Sequence, residues 1–204
     1  MRILVVGATG VIGRAVVAAL KAEHEIIAAS RKGSPEQVDI AKPDSIRQLF
    51  SRVGKIDAIV SAAGSAAFKP LADLTDEDFV FSLSNKLMGQ VNLVRYGLPF
   101  VSDGGSITLT SGTLSQNAVP GSAAVSLVNA GIEGFVRAAA LDAGKKARIN
   151  VVSPGWVSET LAAMGRDPKT GVPAAVVARA YVQSVTGRQT GAVLPAINST
   201  VGRR

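Results

Sequence analysis

A glycine-rich loop near the start of the chain has the composition needed to bind phosphate groups. Residues 7–13 read Gly-Ala-Thr-Gly-Val-Ile-Gly, between an apolar run at residues 3–6 and a segment with helical periodicity. Glycines at such a junction allow a tight turn and bring backbone N–H groups close to a pyrophosphate, and the helix N-terminus adds partial positive charge. A tight turn without a ligand is the alternative. We predict that the loop binds a dinucleotide through Gly7, Thr9, Gly10, Val11, Ile12 and Gly13.

The residues after the second apolar run indicate which dinucleotide the loop would bind. An Asp or Glu about twenty positions beyond such a loop hydrogen-bonds the ribose 2′-hydroxyl of NAD, whereas this chain has Ser30, Arg31 and Lys32. Ser30 can donate a hydrogen bond to a 2′-phosphate, and Arg31 can bind it through two charge-assisted hydrogen bonds. The alternative is that Arg31 and Lys32 are solvated loop charges. The sequence therefore favours NADP(H) over NAD(H).

Strands and helices alternate along the chain in an order that would position this loop. Short apolar runs, typical of strands buried on both faces, occur at residues 3–6, 25–29, 58–61, 107–110 and 149–152. Helical segments between them imply right-handed crossovers and an open parallel sheet covered by helices on both faces. We predict a single doubly wound α/β domain over residues 1–204, with its ligand at the carboxyl ends of the strands.

Periodicity and capping signals predict where several helices lie. Four apolar residues share one face of the first helix: Ile12, Val16, Ala19 and Leu20. Two pairs have the spacing of a capping box: Ser45 with Gln48, and Thr75 with Asp78. A long amphipathic helix is predicted to carry Leu87, Val91, Val94 and Leu98, and further helices are predicted at residues 122–143 and 173–185.

The composition excludes several classes of site. Apolar residues make up 47 % of the chain and charged residues 18 %, a balance typical of folded proteins. Cysteine is absent and His24 is the only histidine, which excludes disulfides, thiol nucleophiles, Ser-His-Asp triads and multi-histidine metal sites. The net charge is +7, but the basic residues are dispersed, which argues against nucleic-acid binding. No apolar run approaches the roughly 18 residues of a membrane span, so we expect a soluble cytoplasmic protein without a membrane partner.

Motifs along nearly the whole chain resemble those of the short-chain dehydrogenase/reductase family. The loop at residues 7–13 is similar to the family's cofactor loop, and residues 38–40 resemble the segment whose acid, here Asp39, meets the adenine ring. Residues 61–64 read Ser-Ala-Ala-Gly where the family has Asn-Asn-Ala-Gly, and residues 150–157 resemble the segment that shapes the nicotinamide site. The resemblance therefore implies further cofactor-binding residues: Ala62, Ala63, Gly64, Pro154, Gly155 and Val157.

The resemblance also implies two residues of the reaction site. Asn85, four residues before Gly89, matches the family's active-site Asn, and Ser111 matches the Ser that hydrogen-bonds the substrate oxygen. Similar proteins associate through the long helices that follow the fourth and fifth strands. We accordingly expect a homodimer or homotetramer, with a small-molecule hydride acceptor or donor as partner.

The chain departs from the family at the pair that handles the proton. The family has Tyr-x-x-x-Lys on the helix after the Ser, where the Tyr protonates the developing alkoxide and the Lys lowers its pKa and holds the nicotinamide ribose. Residues 120–121 and 129–135 fix the register there, and it places Val125 and Asn129 at the two positions. Val125 has no proton to give, whereas Asn129 can hydrogen-bond the ribose but carries no charge. We therefore assign Asn129 to the cofactor site and, with Asn85 and Ser111, to the candidate catalytic residues.

The sequence leaves the source of the proton open. The candidates are Ser111, Ser122, Ser126 and a water held by Asn85 and Asn129. Lys86 adjoins Asn85, but neighbouring residues of a helix point in different directions. Tyr96 and Tyr181 are predicted to be packing residues.

Two residues after the strand at 149–152 have open assignments as well. Trp156 either lines the nicotinamide pocket or only covers the adjacent loop. Ser158 and Thr160 both lie near the place where the family has a Thr for the carboxamide and phosphates.

These observations predict an NADP(H)-dependent oxidoreductase with a non-standard active site. Since an unassisted serine is a poor acid near neutral pH, the expected acceptor is one that needs little acid assistance, such as a quinone, an activated alkene or a flavin. Ser111 and Asn85 would orient that acceptor. The alternative is a protein that has kept the cofactor site and lost catalysis, serving as an NADP(H) sensor or as part of an assembly.

Overall fold

The chain forms one parallel sheet, and the computed structural model describes residues 1–197 of it. The strands are β1 (Arg2–Val6), β2 (Glu25–Ser30), β3 (Glu36–Gln37), β4 (Ile56–Ser61), β5 (Val101–Thr110), β6 (Ala147–Pro154) and β7 (Val193–Ala196). Their order in the sheet is β3-β2-β1-β4-β5-β6-β7. The order of the strands reverses between β1 and β4, as in a doubly wound fold. The predicted α/β class is confirmed, although the last residues of the predicted domain, 198–204, lie outside the described part.

Helices cover both faces of the sheet. They are α1 (Val11–Leu20), α2 (Pro43–Val53), α3 (Asp76–Ser82), α4 (Met88–Gly97), α5 (Ala123–Ala143), α6 (Ser158–Ala163) and α7 (Ala174–Thr186). Leu4 and Val6 of β1 face the apolar core on the side of α2, α4 and α5. Ile3 and Val5 face the core on the side of α1 and α7. Because alternate residues of a strand point to opposite faces, a strand buried on both faces is apolar throughout.

Two predicted details at helix α2 and helix α1 are wrong. Helix α2 begins at Pro43 and has no side-chain cap, because proline is pre-organised for the first helical position and needs no N–H partner there. Ser45 instead accepts a hydrogen bond from the Asp39 N–H (3.0 Å) and holds the preceding loop. Ala19 of α1 is exposed, since the buried stripe of this helix is narrower than predicted. The other capping box, Thr75 with Asp78, is present at the start of α3.

The predicted helix with Leu87, Val91, Val94 and Leu98 is present as α4, and an irregular turn precedes it. A π-helical turn, Leu83–Leu87, joins α3 to α4. Its i→i+5 hydrogen bonds accommodate an extra residue, so the side chains before and after it lose the ordinary 3.6-residue register. Asn85 and Lys86 therefore both come to border cavities at the edge of the sheet.

Within residues 1–197, helix α5 is long and apolar enough, by length and composition, to cross a bilayer. Its residues Val128, Ile132 and Val136 are completely buried, and the last two belong to the core on the sheet. The same helix buries Asn129 and Glu133. The apolar composition of α5 is thus accounted for by its packing on the sheet.

Candidate active site

Two adjoining cavities open at the carboxyl ends of the central strands. The first, which we call the loop cavity, has a volume of about 340 Å³ and is lined by residues of the glycine loop and of the ends of β2 and β4. The second, the serine cavity, has a volume of about 240 Å³ and is lined by the ends of β5 and β6 and by α5. Both share the wall formed by Ala62, Ala63 and Gly64. They flank the point where the strand order reverses, which is where ligands bind in sheets of this kind.

The glycines of the loop are required by close contacts of the backbone. Gly7 has φ +86°, and a Cβ there would lie 2.6 Å from the carbonyl oxygen of Ala62. A Cβ on Gly13 would overlap the carbonyl oxygen of Gly7, so α1 can approach the loop only with glycine at this position. Helix α1 begins at Val11 after Gly10, and no side chain caps it. The first N–H groups of the helix, at Val11, Ile12 and Gly13, are thus left for an anionic ligand.

The polar residues at the end of β2 differ in their exposure and in their hydrogen bonding. Ser30 is buried, and its hydroxyl is within hydrogen-bond distance of the Lys32 carbonyl oxygen (2.6 Å) and of Ser34 Oγ (2.8 Å). The hydroxyl proton of Ser30 is therefore donated to a hydrogen bond within its own turn. Arg31 is exposed and lines the loop cavity, whose wall also contains Thr9 and Asp39. The Arg31 side chain is thus exposed at the loop cavity, whereas the Ser30 hydroxyl is hydrogen-bonded within its own turn.

Asp39 and Asn85 organise the walls of the loop cavity. Asp39 accepts a hydrogen bond from the Ala41 N–H (3.1 Å), and Lys42 lies 4.0 Å from its other oxygen. Asn85 Oδ1 accepts a hydrogen bond from the Ser65 N–H (2.8 Å). The Asn85 side chain therefore fixes the segment that follows β4.

Ser111 is held by a buried carboxylate that the sequence analysis did not identify. Ser111 is 3 % exposed, and its hydroxyl donates to Glu133 Oε1 at 2.9 Å. Ser115 donates to the same oxygen at 2.7 Å. Glu133, four residues after Asn129 on α5, is itself 4 % exposed. The available signal was an acid one helical turn beyond Asn129, on the same face of a largely apolar helix.

Val125 and Asn129 both border the serine cavity. The Nδ2 of Asn129 donates to the Gly112 carbonyl oxygen at 3.3 Å. Its Oδ1 is buried and has no hydrogen-bond partner within residues 1–197. Buried polar atoms of this kind are uncommon and point to a missing ligand or water.

Two of the serines considered as proton donors are engaged elsewhere. Ser126 donates to Ser122 Oγ at 3.1 Å, and Ser122 accepts from the Val119 N–H at 3.0 Å. Neither residue borders the loop cavity or the serine cavity.

Lys86 is a second site residue that the sequence analysis set aside. Its ammonium group donates to the Ser111 carbonyl oxygen at 3.4 Å and borders the serine cavity. Gly64 has φ +129°, and a Cβ there would lie 3.0 Å from Lys86 Cγ, so the missing side chain makes room for the lysine. Burial lowers the pKa of Lys86 to about 8, because desolvation disfavours the charged form. The sequence analysis set Lys86 aside because it adjoins Asn85, and the two residues do border different cavities; spacing did not reveal that the serine cavity lies on the side of Lys86.

Buried polar residues support the end of β5 from behind the cavity. Gln90 is completely buried; it donates to the Thr110 carbonyl oxygen (2.7 Å) and accepts from the Thr110 N–H (2.8 Å). Tyr181 is also completely buried, and its hydroxyl contacts Thr110 Oγ1. Burial raises the pKa of Tyr181. Tyr181 belongs to the apolar core, as predicted. Tyr96 contacts Arg47 at the surface.

The segment after β6 closes one side of the serine cavity. Trp156 borders the cavity and also packs edge-on against Phe68, with ring centroids 5.9 Å apart. Trp156 therefore lines this cavity and does not only cover the adjacent loop. Thr160 borders the cavity as well, whereas the Ser158 N–H pairs with the Val172 carbonyl oxygen. The remaining predicted wall residues, Pro154, Gly155 and Val157, line the same cavity.

The sequence matches a known family model and several curated proteins. The family model described as enoyl-(acyl carrier protein) reductase matches residues 7–194. Hydroxynaphthalene reductase arp2 of Aspergillus fumigatus is 32 % identical over 156 residues, which are 73 % of this chain and 56 % of that protein. Versicolorin reductase 1 of Dothistroma septosporum is 34 % identical over 163 residues, 76 % of this chain and 61 % of that protein. The matched part of the chain thus spans about three fifths of the length of these relatives.

Solved structures share the fold along almost the whole chain. The protein lin1944 from Listeria innocua superposes with a TM-score of 0.91 at 41 % identity, covering 96 % of this chain and 98 % of that one. A small-chain dehydrogenase in complex with NADPH superposes with a TM-score of 0.85 at 26 % identity, covering 96 % and 95 %.

Proposed function

Because the chain belongs to the short-chain dehydrogenase/reductase family, we propose that it is an NADP(H)-dependent oxidoreductase with a non-standard active site. The observation that carries the proposal is that the loop cavity and the serine cavity adjoin, with Ala62, Ala63 and Gly64 lining both. The glycine loop thereby lies beside a pocket with polar groups.

The residues present fit a nicotinamide dinucleotide. The uncapped N-terminus of α1 would bind the pyrophosphate, and Asp39 stands at the wall where the adenosine would lie. In the serine cavity, the unpaired Oδ1 of Asn129 would accept a hydrogen bond from a ribose hydroxyl. The cofactor would satisfy a buried acceptor that has no protein partner in the described part of the chain.

Arg31 supports a preference for the 2′-phosphorylated cofactor. It lines both the loop cavity and a neighbouring open groove that also includes Lys42. A guanidinium binds a phosphate through charge-assisted hydrogen bonds and gains much less from an uncharged ribose hydroxyl. NADPH in a structure of a family member with the same fold agrees with this preference.

The serine cavity would hold the hydride acceptor beside the nicotinamide. When bound, the reduced nicotinamide supplies a hydride to the acceptor. Apolar side chains of the cavity, Ile12, Leu114, Val125 and Trp156, would contact a flat, apolar molecule. We propose a quinone, an enone or an aromatic ketone as the substrate class. The two curated relatives are named as reductases.

A second candidate function has one specific observation in its favour. Val125 borders the cavity where the family's proton-donating Tyr would stand, and it has no proton to give. The chain could then be an NADP(H)-binding sensor or part of an assembly without catalysis. The two functions differ in whether bound NADPH is oxidised.

The proposed assembly is a homodimer or homotetramer in the cytoplasm. Large apolar side chains are exposed on the helices after β4 and β5, namely Val80, Phe81, Met88, Leu127 and Leu141. Burial of these apolar side chains against a second copy of the chain would stabilise such an assembly.

The proposed function is tested by a fluorescence titration with NADPH and, in parallel, with NADH. The signals are energy transfer from Trp156, the only tryptophan, and enhancement of the reduced nicotinamide. We expect saturable NADPH binding and weaker NADH binding, followed by NADPH oxidation with quinones, enones or aromatic ketones. Binding without oxidation by any of these acceptors would favour the sensor, and the absence of binding would reject both functions.

A further inference from the structure

We propose that Lys86 is the proton donor of the active site and takes the place of the family's missing tyrosine. This proposal rests on the proposed oxidoreductase function. Its basis is the position of the Lys86 ammonium group in the serine cavity, 3.4 Å from the Ser111 carbonyl oxygen.

The surroundings of Lys86 hold its side chain in the cavity. The Cγ and Cβ atoms of the lysine lie against Gly64, where any side chain would obstruct them. The Lys86 carbonyl oxygen accepts a hydrogen bond from Gln90 Nε2 at 3.4 Å, which ties the π turn to the residue that braces the end of β5. The absence of a side chain at Gly64 thus leaves space for the lysine, and the hydrogen bond from Gln90 fixes the backbone that carries it.

The ammonium group has no charged partner within residues 1–197. The buried carboxylate on α5, Glu133, already accepts hydrogen bonds from Ser111 and Ser115. A partly buried, unpaired ammonium is costly to the folded state, so its placement in a ligand cavity calls for a functional reason. No structural ion pair supplies that reason in the described part of the chain.

The other hydroxyl groups of the site are poorly placed to give a proton. Ser111 donates its proton to Glu133 and so directs it away from the cavity. Tyr181 is completely buried behind β5 and borders neither cavity. Thr113 and Thr160 also border the cavity, but an unassisted hydroxyl is a poor acid near neutral pH, whereas the Lys86 ammonium has a proton to give there.

The proposed step balances for reduction of a carbonyl group. The acceptor carbon gains a hydride that the reduced nicotinamide would supply on being oxidised, the C=O π bond breaks, and the oxygen takes a proton from the Lys86 ammonium to become a hydroxyl. The amine of Lys86 then regains a proton from solvent. A donor whose pKa lies near the working pH transfers its proton more readily than an ordinary lysine, and burial lowers the pKa of Lys86 to about 8.

The first test measures Lys86 in the protein without cofactor. Protein with ¹³C-labelled lysine is titrated by NMR, and the Cε resonance of Lys86 is assigned by its absence from Lys86→Met. The groups around the ammonium are Ser111 on β5 and, through that serine, Glu133 on α5. We expect a midpoint near pH 8, well below the midpoints of exposed lysines. A midpoint above pH 10 would overturn the proposal, because the ammonium would then be solvated.

The second test separates proton donation from cofactor binding. We expect Lys86→Met to lower kcat for NADPH-dependent carbonyl reduction at least about 100-fold and to leave the Kd for NADPH within threefold. Lys86→Arg keeps the positive charge but cannot give up a proton, so it should leave kcat low; recovery of kcat in Lys86→Arg would reduce the role of Lys86 to charge stabilisation and overturn the proposal. The control is Lys145→Met, at an exposed lysine in the turn after α5, and it should behave like the unmodified protein.

The outcomes distinguish this proposal from the function on which it rests. Unchanged kcat in Lys86→Met overturns the proton-donor role, and so does a loss of NADPH binding equal to the loss of kcat, since that result assigns Lys86 to the cofactor. If the unmodified protein does not bind NADPH, the oxidoreductase function fails, while the NMR midpoint still decides whether Lys86 titrates within the cavity.

Discussion

Ser111 at the end of β5 donates a hydrogen bond to Glu133 of α5 across 2.9 Å. The two residues are 22 positions apart in sequence. The hydrogen bond joins the carboxyl end of β5 to α5, the helix that borders the serine cavity. It fixes the hydroxyl rotamer of Ser111 and leaves its oxygen lone pairs toward other donors. Ser111 is therefore suited to orient a ligand and less suited to give it a proton.

Replacing Ser111 with Ala should lower turnover at least about tenfold, because it removes a hydroxyl that lines the acceptor cavity and one of the hydrogen bonds to the buried Glu133. The Kd for NADPH should stay unchanged, since the serine lies in the acceptor cavity. Steady-state kinetics with an accepted quinone or ketone measure the effect. Ser115→Ala is the matched control: Ser115 donates to the same Glu133 oxygen but does not border the cavity. Turnover that is equal in Ser111→Ala and the unmodified protein would remove Ser111 from the reaction.

Replacing Arg31 with Ala should weaken NADPH binding by roughly 10- to 100-fold, as expected for a lost hydrogen bond between charged groups. NADH binding should change by less than threefold, because NADH has no 2′-phosphate. Paired fluorescence titrations give both values. Lys32→Ala removes the neighbouring charge, which borders neither cavity, and should have little effect. Equal losses for NADPH and NADH would refute the phosphate assignment.

Replacing Gly13 with Ala should abolish dinucleotide binding and destabilise the fold. The new Cβ would overlap the Gly7 carbonyl oxygen, so α1 would have to move away from the loop that it completes. Thermal unfolding and NADPH titration measure the two effects. Gly134→Ala on α5 is the control, since a Cβ there meets nothing within 4 Å and should stabilise the helix by up to about 1 kcal/mol. A Gly13→Ala protein with normal stability and binding would contradict the assigned packing.

Lys86 should make stability depend on pH in a defined direction. Burial lowers its pKa from 10.5 to about 8 in the folded protein, so between pH 8 and 10.5 the unfolded chain binds more protons than the folded one, and this group's contribution to the free energy of unfolding rises with pH. Below pH 8 the buried charge destabilises the fold, by up to about 3 kcal/mol from the size of the shift.

Lys86→Met should consequently be more stable than the unmodified protein at pH 7, and the difference should shrink as the pH rises to 10.5. Urea denaturation of both proteins at a series of pH values measures it, with Lys145→Met as the control for an exposed lysine. A stability difference that does not vary with pH would show that Lys86 has an ordinary pKa in the folded protein.

Much of the fold was predictable because it is encoded by short stretches of sequence. The apolar runs that form β1, β4 and β6, the Thr75 cap of α3 and the loop at residues 7–13 each depend on neighbours within a few positions. The alternation of these elements determines a parallel sheet, and the sheet places its ligand at the carboxyl ends of its strands. The capping prediction at Ser45 was wrong because Pro43 started the helix earlier.

The tertiary structure determined which residues that are distant in sequence contact one another. Glu133 reaches Ser111 because α5 packs beside β5, and Lys86 enters the serine cavity because the π turn shifts the helical register and Gly64 leaves room for its side chain. Helical periodicity describes a regular helix and carries no information about an inserted residue or about the burial of a charge. The sequence alone thus predicted the loop and the strand ends at which we propose a dinucleotide binds, whereas the three-dimensional packing determined which side chains surround the serine cavity.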